Sequence, residues 1–162
     1  MKPLNPRMTT NDSAPSRATD APPWRGPEPA GSRAQADRPA LQAALYARLG
    51  GALTGVPIVD AQAPAPLPAT YVLIGPEEVI DASDGTGAGA EHRVVVSVLS
   101  TAEGFLAAKE MAADICTALE GPPMALTEGR VVGITFRRAV ARRLEGGTQR
   151  RIDLTFRIRI EI

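Results

Sequence analysis

His92 is the only histidine in this 162-residue chain, and Cys116 is the only cysteine. These two side chains bound the chemistry available. A nucleophile–histidine–carboxylate triad would need His92 as its base, and no site with several histidines can be built within one chain. One cysteine cannot form a disulfide within the chain. His92 follows Glu91 at the start of an apolar run, where a structural role fits better than catalysis. Cys116 falls among Ala112, Ile115 and Leu119, a setting for a small buried hydrophobe rather than an activated thiolate. The stretch SDGTGAGAE, from Ser83 to Glu91, has the glycines of a phosphate loop. It lacks the G-K-[ST] ending and leads into strand-type residues, so no helix N-terminus would face a phosphate. Glu77, Glu78, Asp81 and Asp84 offer neighbouring carboxylates, but no apolar surroundings that would tune one of them as an acid. They read as a solvated acidic patch. No catalytic, cofactor-binding or metal-ligating set is expected.

The bulk properties agree with a non-enzymatic role. Lysine and arginine total 18, as do aspartate and glutamate, so a general polyanion binder is not indicated. Aromatic residues are 4% of the chain, which leaves the core to Val, Ile and Leu. No apolar run approaches the roughly 20 residues of a membrane span. The opening MKPLNPRMTT lacks the apolar region of a secretory signal, so a soluble protein made in the cytoplasm is expected.

The elements that must carry any function divide at about Asp37. Residues 1–36 are rich in Pro, Ala, Ser, Arg and Asp, with no period of 2 or 3.6. They read as an extended arm of low complexity, with Trp24, the only tryptophan, as the anchor that would dock it on a neighbour. From 37 to 162 the pattern is that of one α+β domain: a mostly antiparallel sheet of about four main strands, packed by two helices. Asp37 and Pro39 suit a helix start, Leu41, Leu45 and Leu49 form its stripe, and Gly50 and Gly51 would stop it. TYVLIG reads as a short strand ended by Gly75-Pro76. HRVVVSVLS, apolar on both sides, reads as the central strand. Ser100 and Glu103 suggest a capping box for a second helix, with Phe105, Ala108, Ala112, Ile115, Cys116 and Leu119 on its inner face. RVVGITFRRAVARRL and TQRRIDLTFRIRIEI, joined through EGG, predict a long C-terminal hairpin. Its first arm carries Val132, Ile134 and Phe136 in phase, then stumbles at Arg137-Arg138, where a bulge would fit. Its second arm alternates from Ile152 to Ile162, with Arg157, Arg159 and Glu161 on the other face.

Charge is unevenly placed. From Arg130 onward arginine dominates, at 130, 137, 138, 142, 143, 150, 151, 157 and 159, whereas Glu77 to Glu91 is acidic. Arginine favours bidentate pairing with carboxylate or phosphate. Nucleic acid is one target, although the hairpin shows no aromatic stacking platform on its outer face. The acidic segment of an identical neighbour is the other, and contact between unlike surfaces closes into a ring when the rotation allows.

In this order, ALQAALYARLGG, VPIVD running through a Pro-rich stretch into TYVLIG, HRVVVSVLS, GFLAAKEMAADICTALEGPPMAL and the terminal hairpin resemble the tail completion, or tail terminator, family of long-tailed bacteriophages and gene transfer agents. The resemblance covers roughly Ala40 to Ile162. Two departures stand out: Leu99 occupies a place before Ser100 where family members often carry Trp, and the 1–36 extension is unusual. The resemblance implies a structural virion protein at the tail–neck junction. It would form a homo-hexameric ring that caps the head-proximal end of the tail tube, stops tube polymerisation and docks the neck (head-completion) proteins. DNA would only pass through its channel, and no membrane is involved. It supplies no catalytic residues. The intersubunit or partner contacts expected are Trp24, Asp81, Asp84, Arg137, Arg138, Arg157, Arg159 and Glu161. The alternatives are a nucleic-acid-binding module using the arginine-rich hairpin, and a different neck component such as a stopper or connector.

Overall fold

The computed structural model describes residues 30–60 and 63–162. Helix α1 (Ala30–Ala52) is followed by strands β1 (Ile58–Val59), β2 (Thr70–Asp81) and β3 (Gly89–Ser100), helix α2 (Leu106–Leu119), and strands β4 (Arg130–Arg143) and β5 (Arg150–Glu161). The strands form one sheet in the order β1-β2-β3-β5-β4. Only the β1–β2 pairing is parallel. The fold is thus the expected α+β arrangement, with two helices against a mostly antiparallel sheet.

The core follows from the two periods of the sequence. Leu41, Leu45 and Leu49 recur every fourth residue and are fully buried along one side of α1. Ala108, Ala112, Ile115 and Leu119 do the same for α2. Beneath them Val94, Val96 and Val98 of β3 and Ile152, Leu154, Phe156, Ile158 and Ile160 of β5 alternate inward. Burying each such Leu or Ile side chain contributes roughly 1.5–3 kcal/mol. The helices pack on β2, β3 and β5. Beyond its start, β4 has no such cover and is exposed along most of its length.

Five local expectations are corrected. First, α1 does not start at Asp37. It runs from Ala30 with Pro39 inside it, because Ala, Arg and Gln before the proline are good helix formers and carry the helix through one missing N–H. Second, Gly50 and Gly51 do not stop α1; both lie in its last turn, and the chain reverses at Gly55, with φ of 80°. Third, β2 does not end at Gly75-Pro76. A register shift between Ile74 and Glu77 absorbs the pair as a bulge, which spares the ladder a donor that proline lacks. The polar loop therefore shrinks to residues 82–88. Fourth, Ser100 does not cap α2. It stays in β3, where its Oγ lies 3.0 Å from Thr70 Oγ1 and accepts the Ala102 N–H at 3.2 Å. The helix begins only after Phe105, with no side-chain cap. Fifth, the inward phase of β4 starts at Val131, not Val132. A bulge between Val131 and Gly133 shifts it, and a second falls between Phe136 and Arg138, where one was expected.

Candidate functional site

The expected contact residues scatter over three places. Asp81 and Asp84 flank the β2–β3 turn and tie it from inside. Asp81 accepts from the Ser83 N–H and hydroxyl, at 3.0 and 2.7 Å. Asp84 accepts from the Thr86 N–H and hydroxyl and the Gly87 N–H, at 2.9, 2.6 and 3.0 Å. These hydrogen bonds, from Ser83 and Thr86 foremost, hold both carboxyls below the usual aspartate range. Arg159 adds a weaker attraction at Asp84. Trp24 lies outside the described residues.

The helix-free face of the sheet holds most of the hairpin arginines, and many are engaged within the chain. Arg157 spans to Glu91 of β3, with Nε and Nη2 each 2.7 Å from one carboxylate oxygen. Glu161 pairs with Arg130 at 2.9 Å. Asp153 is the hub of a larger group: the Ser97 hydroxyl donates to it at 2.6 Å, Arg151 Nε at 2.7 Å and Arg142 Nη2 at 2.8 Å. Burial pushes the Asp153 carboxyl up, but these hydrogen bonds and the two guanidinium charges outweigh it and hold the group below its ordinary value. Arg137 and Arg138, by contrast, are exposed and have no ion pair or hydrogen-bonded side chain among the described residues.

Sequence reasoning missed one cluster. Glu77 is not a solvated loop carboxylate. It stands in β2 just past the bulge, accepts His92 Nδ1 at 2.6 Å and Arg38 Nε at 3.2 Å, and its side chain is only 16% exposed. His92 is fully buried. Because an ionised carboxylate only accepts, Nδ1 carries the proton of this hydrogen bond. Nε2 is then left without a partner. Burial raises the Glu77 carboxyl, but the hydrogen bonds and charges of His92 and Arg38 prevail and lower it. The signal was available in the register: in the observed pairing Val79 faces His92, with Glu77 two residues away on the same side of β2. It was hidden by ending β2 at Pro76.

The cluster has the donors of an acid–base pair without access to a reactant. The His92 ring meets no solvent, and the recess beside Glu77, about 180 Å³ and lined by Arg38, Gln42 and Asp60, does not reach it. The Ser97 hydroxyl already gives its proton to Asp153. Burial raises the Cys116 thiol, with the Glu120 charge adding to the effect, which is the reverse of activation. Among the described residues, no three His, Cys, Asp or Glu side chains converge as metal ligands. No described helix is long and apolar enough to cross a membrane.

The described residues form a two-layer domain with an apolar core and a charged surface, and comparison with known proteins gives its class, the structural virion proteins that complete tails. The model of the family tail completion protein gp17 matches residues 39–161, and the chain belongs to that family. A chain in the solved structure described as the virion of a native gene transfer agent (GTA) particle is 48% identical to it. The match covers 76% of this chain and 96% of that one, with a TM-score of 0.69. No curated protein matches.

Proposed function

We propose that this protein is the ring-forming terminator of a virion tail: it caps the head-proximal end of the tail tube, ends tube growth and presents the surface on which the neck proteins dock. The particle would be a tailed phage or a gene transfer agent, and DNA would cross only the central channel. Membership of the tail completion family, together with the 48% identity to a chain of a gene transfer agent virion, carries this reading. The physical chemistry supports it. The subunit carries a closed apolar core, an arginine-rich sheet face and an acidic helix face, the unlike surfaces that head-to-tail association needs. Arg137 and Arg138 supply free charge to that contact, while Arg157 and Glu161 are already paired within the chain, with Glu91 and Arg130. Such a network suits a DNA conduit, because arginines paired with carboxylates add less salt-dependent affinity for phosphate than free ones.

Electron microscopy combined with mass measurement at high protein concentration tests the proposal. Closed rings of six subunits that bind the end of purified tail tubes are expected. A monodisperse monomer with salt-dependent affinity for duplex DNA would overturn it in favour of a nucleic-acid-binding module.

A further inference from the structure

Once the in-chain ion pairs are assigned, the charges left over separate by layer. Among the described residues Arg137 and Arg138 of β4 are exposed on the helix-free face beside Thr155 and carry neither an ion pair nor a side-chain hydrogen bond. On the helix layer, Glu110 and Asp114 project from the exposed side of α2, one turn apart, with Glu103 just ahead of the helix. They too are without partners among the described residues. Lys109 is the one cation on α2.

The apolar surface divides in the same way. Val140 is 40% exposed on the helix-free face of β4, opposite Asp153 of β5, and Leu106 is 71% exposed at the start of α2. The acids first expected to receive the arginines are not free to do so. Glu77 holds His92 and Arg38, Glu91 holds Arg157, and Asp81 and Asp84 hold their own turn. The hairpin cannot satisfy itself on its own α2 either. Among the described residues the one hydrogen bond from β4 to the end of α2 is that of the Phe136 N–H to Glu120, at 3.3 Å. Asp114 and Glu110 lie a further 9 and 15 Å or so along the helix axis.

We infer that the helix-free face of β4 at Arg137, Arg138 and Val140 docks on the exposed face of α2 of a second copy of this chain. Arg137 and Arg138 would meet Glu110 and Asp114, and Val140 would cover Leu106. Each copy has one hairpin and one such helix face, so every subunit is used once on each side, as a closed ring requires. The inference rests on the ring reading above.

Two charge-reversed variants test it. One carries Arg137→Glu with Arg138→Glu, the other Glu110→Arg with Asp114→Arg. All four positions are exposed, so both variants should fold, which thermal melting by circular dichroism checks. Each variant alone should need at least about tenfold more protein than wild type to form rings, because like charges would face each other. Mixed in equal amounts, the two should form rings again, alternating around the circle, as read by sedimentation and electron microscopy. Wild-type rings that both variants form equally well would overturn the docking and leave the ring standing. So would impaired variants that fail to rescue each other. Wild-type protein that never self-associates would overturn both.

Discussion

Replacing Glu77 tests whether the buried pair is a structural clasp. In Glu77→Ala the Nδ1–H of His92 loses its acceptor in a place without solvent. An unsatisfied buried donor costs about 1–3 kcal/mol. Arg38, whose side chain is 43% exposed, can turn to water, so its lost bond adds at most about 1 kcal/mol. The sum is a loss of roughly 1–4 kcal/mol, a large share of the stability of a domain this size. Glu77→Gln keeps an oxygen for the His92 proton and should lose about half as much or less. Urea unfolding followed by circular dichroism measures both, with equal slopes showing that only stability has changed. The pH dependence gives a second reading. Glu77 has its carboxyl lowered in the folded state from an ordinary value of 4.5. Its charged form therefore stabilises the fold above that value, and the contribution disappears as pH falls through the lower folded-state value. The gap between wild type and Glu77→Gln should narrow in acid. A Glu77→Ala protein within about 0.5 kcal/mol of wild type, or a Gln variant as weak as the Ala variant, would refute the clasp.

Three further outcomes are expected. Leu45→Ala empties a fully buried site between α1 and the sheet and should cost about 2–5 kcal/mol in the same unfolding assay. Gly129→Ala should destabilise strongly, because Gly129 has φ of 77° and an added Cβ would lie 2.4 Å from the Glu161 carbonyl oxygen. Hydrogen exchange at the paired ends of β4 and β5 should rise first. Deleting residues 1–29, which precede α1, should leave the melting profile of the domain cooperative while lowering its association; a deletion product that does not fold would refute the reading of that segment as an arm.

Most of the fold could be read from periodicity. Leu41, Leu45 and Leu49, the β3 valines and the alternation from Ile152 to Ile160 each define one face, and burial of those faces decides the layers. Helix ends were misplaced, and strands were misread where one residue changes the phase. Pro76 looked like a stop because proline ends most strands, yet a bulge lets β2 continue and carries Glu77 onto the inner side. At Val131 an extra residue moved the inward phase by one position, and periodicity alone gives no warning of that. The surface was less legible. Sequence shows that arginines and acids are unevenly placed, but only the strand register reveals which are already paired. Arg157 reaches Glu91, on a strand far away in the chain, through the alignment of β3 with β5.

That alignment also orders events during synthesis. β5 lies between β3 and β4 in the sheet but emerges from the ribosome after both. β3 therefore waits with one edge open while α2 and β4 are made, and β4 has no neighbour until its hairpin mate appears. The hairpin can close locally within microseconds, whereas seating it on β3 brings together residues dozens of positions apart and is the slower step. Until then Phe136 to Arg143 has no rigid backing. A nascent chain would thus be poorly able to join its fellows before its own sheet is complete, so folding would set the time at which assembly begins.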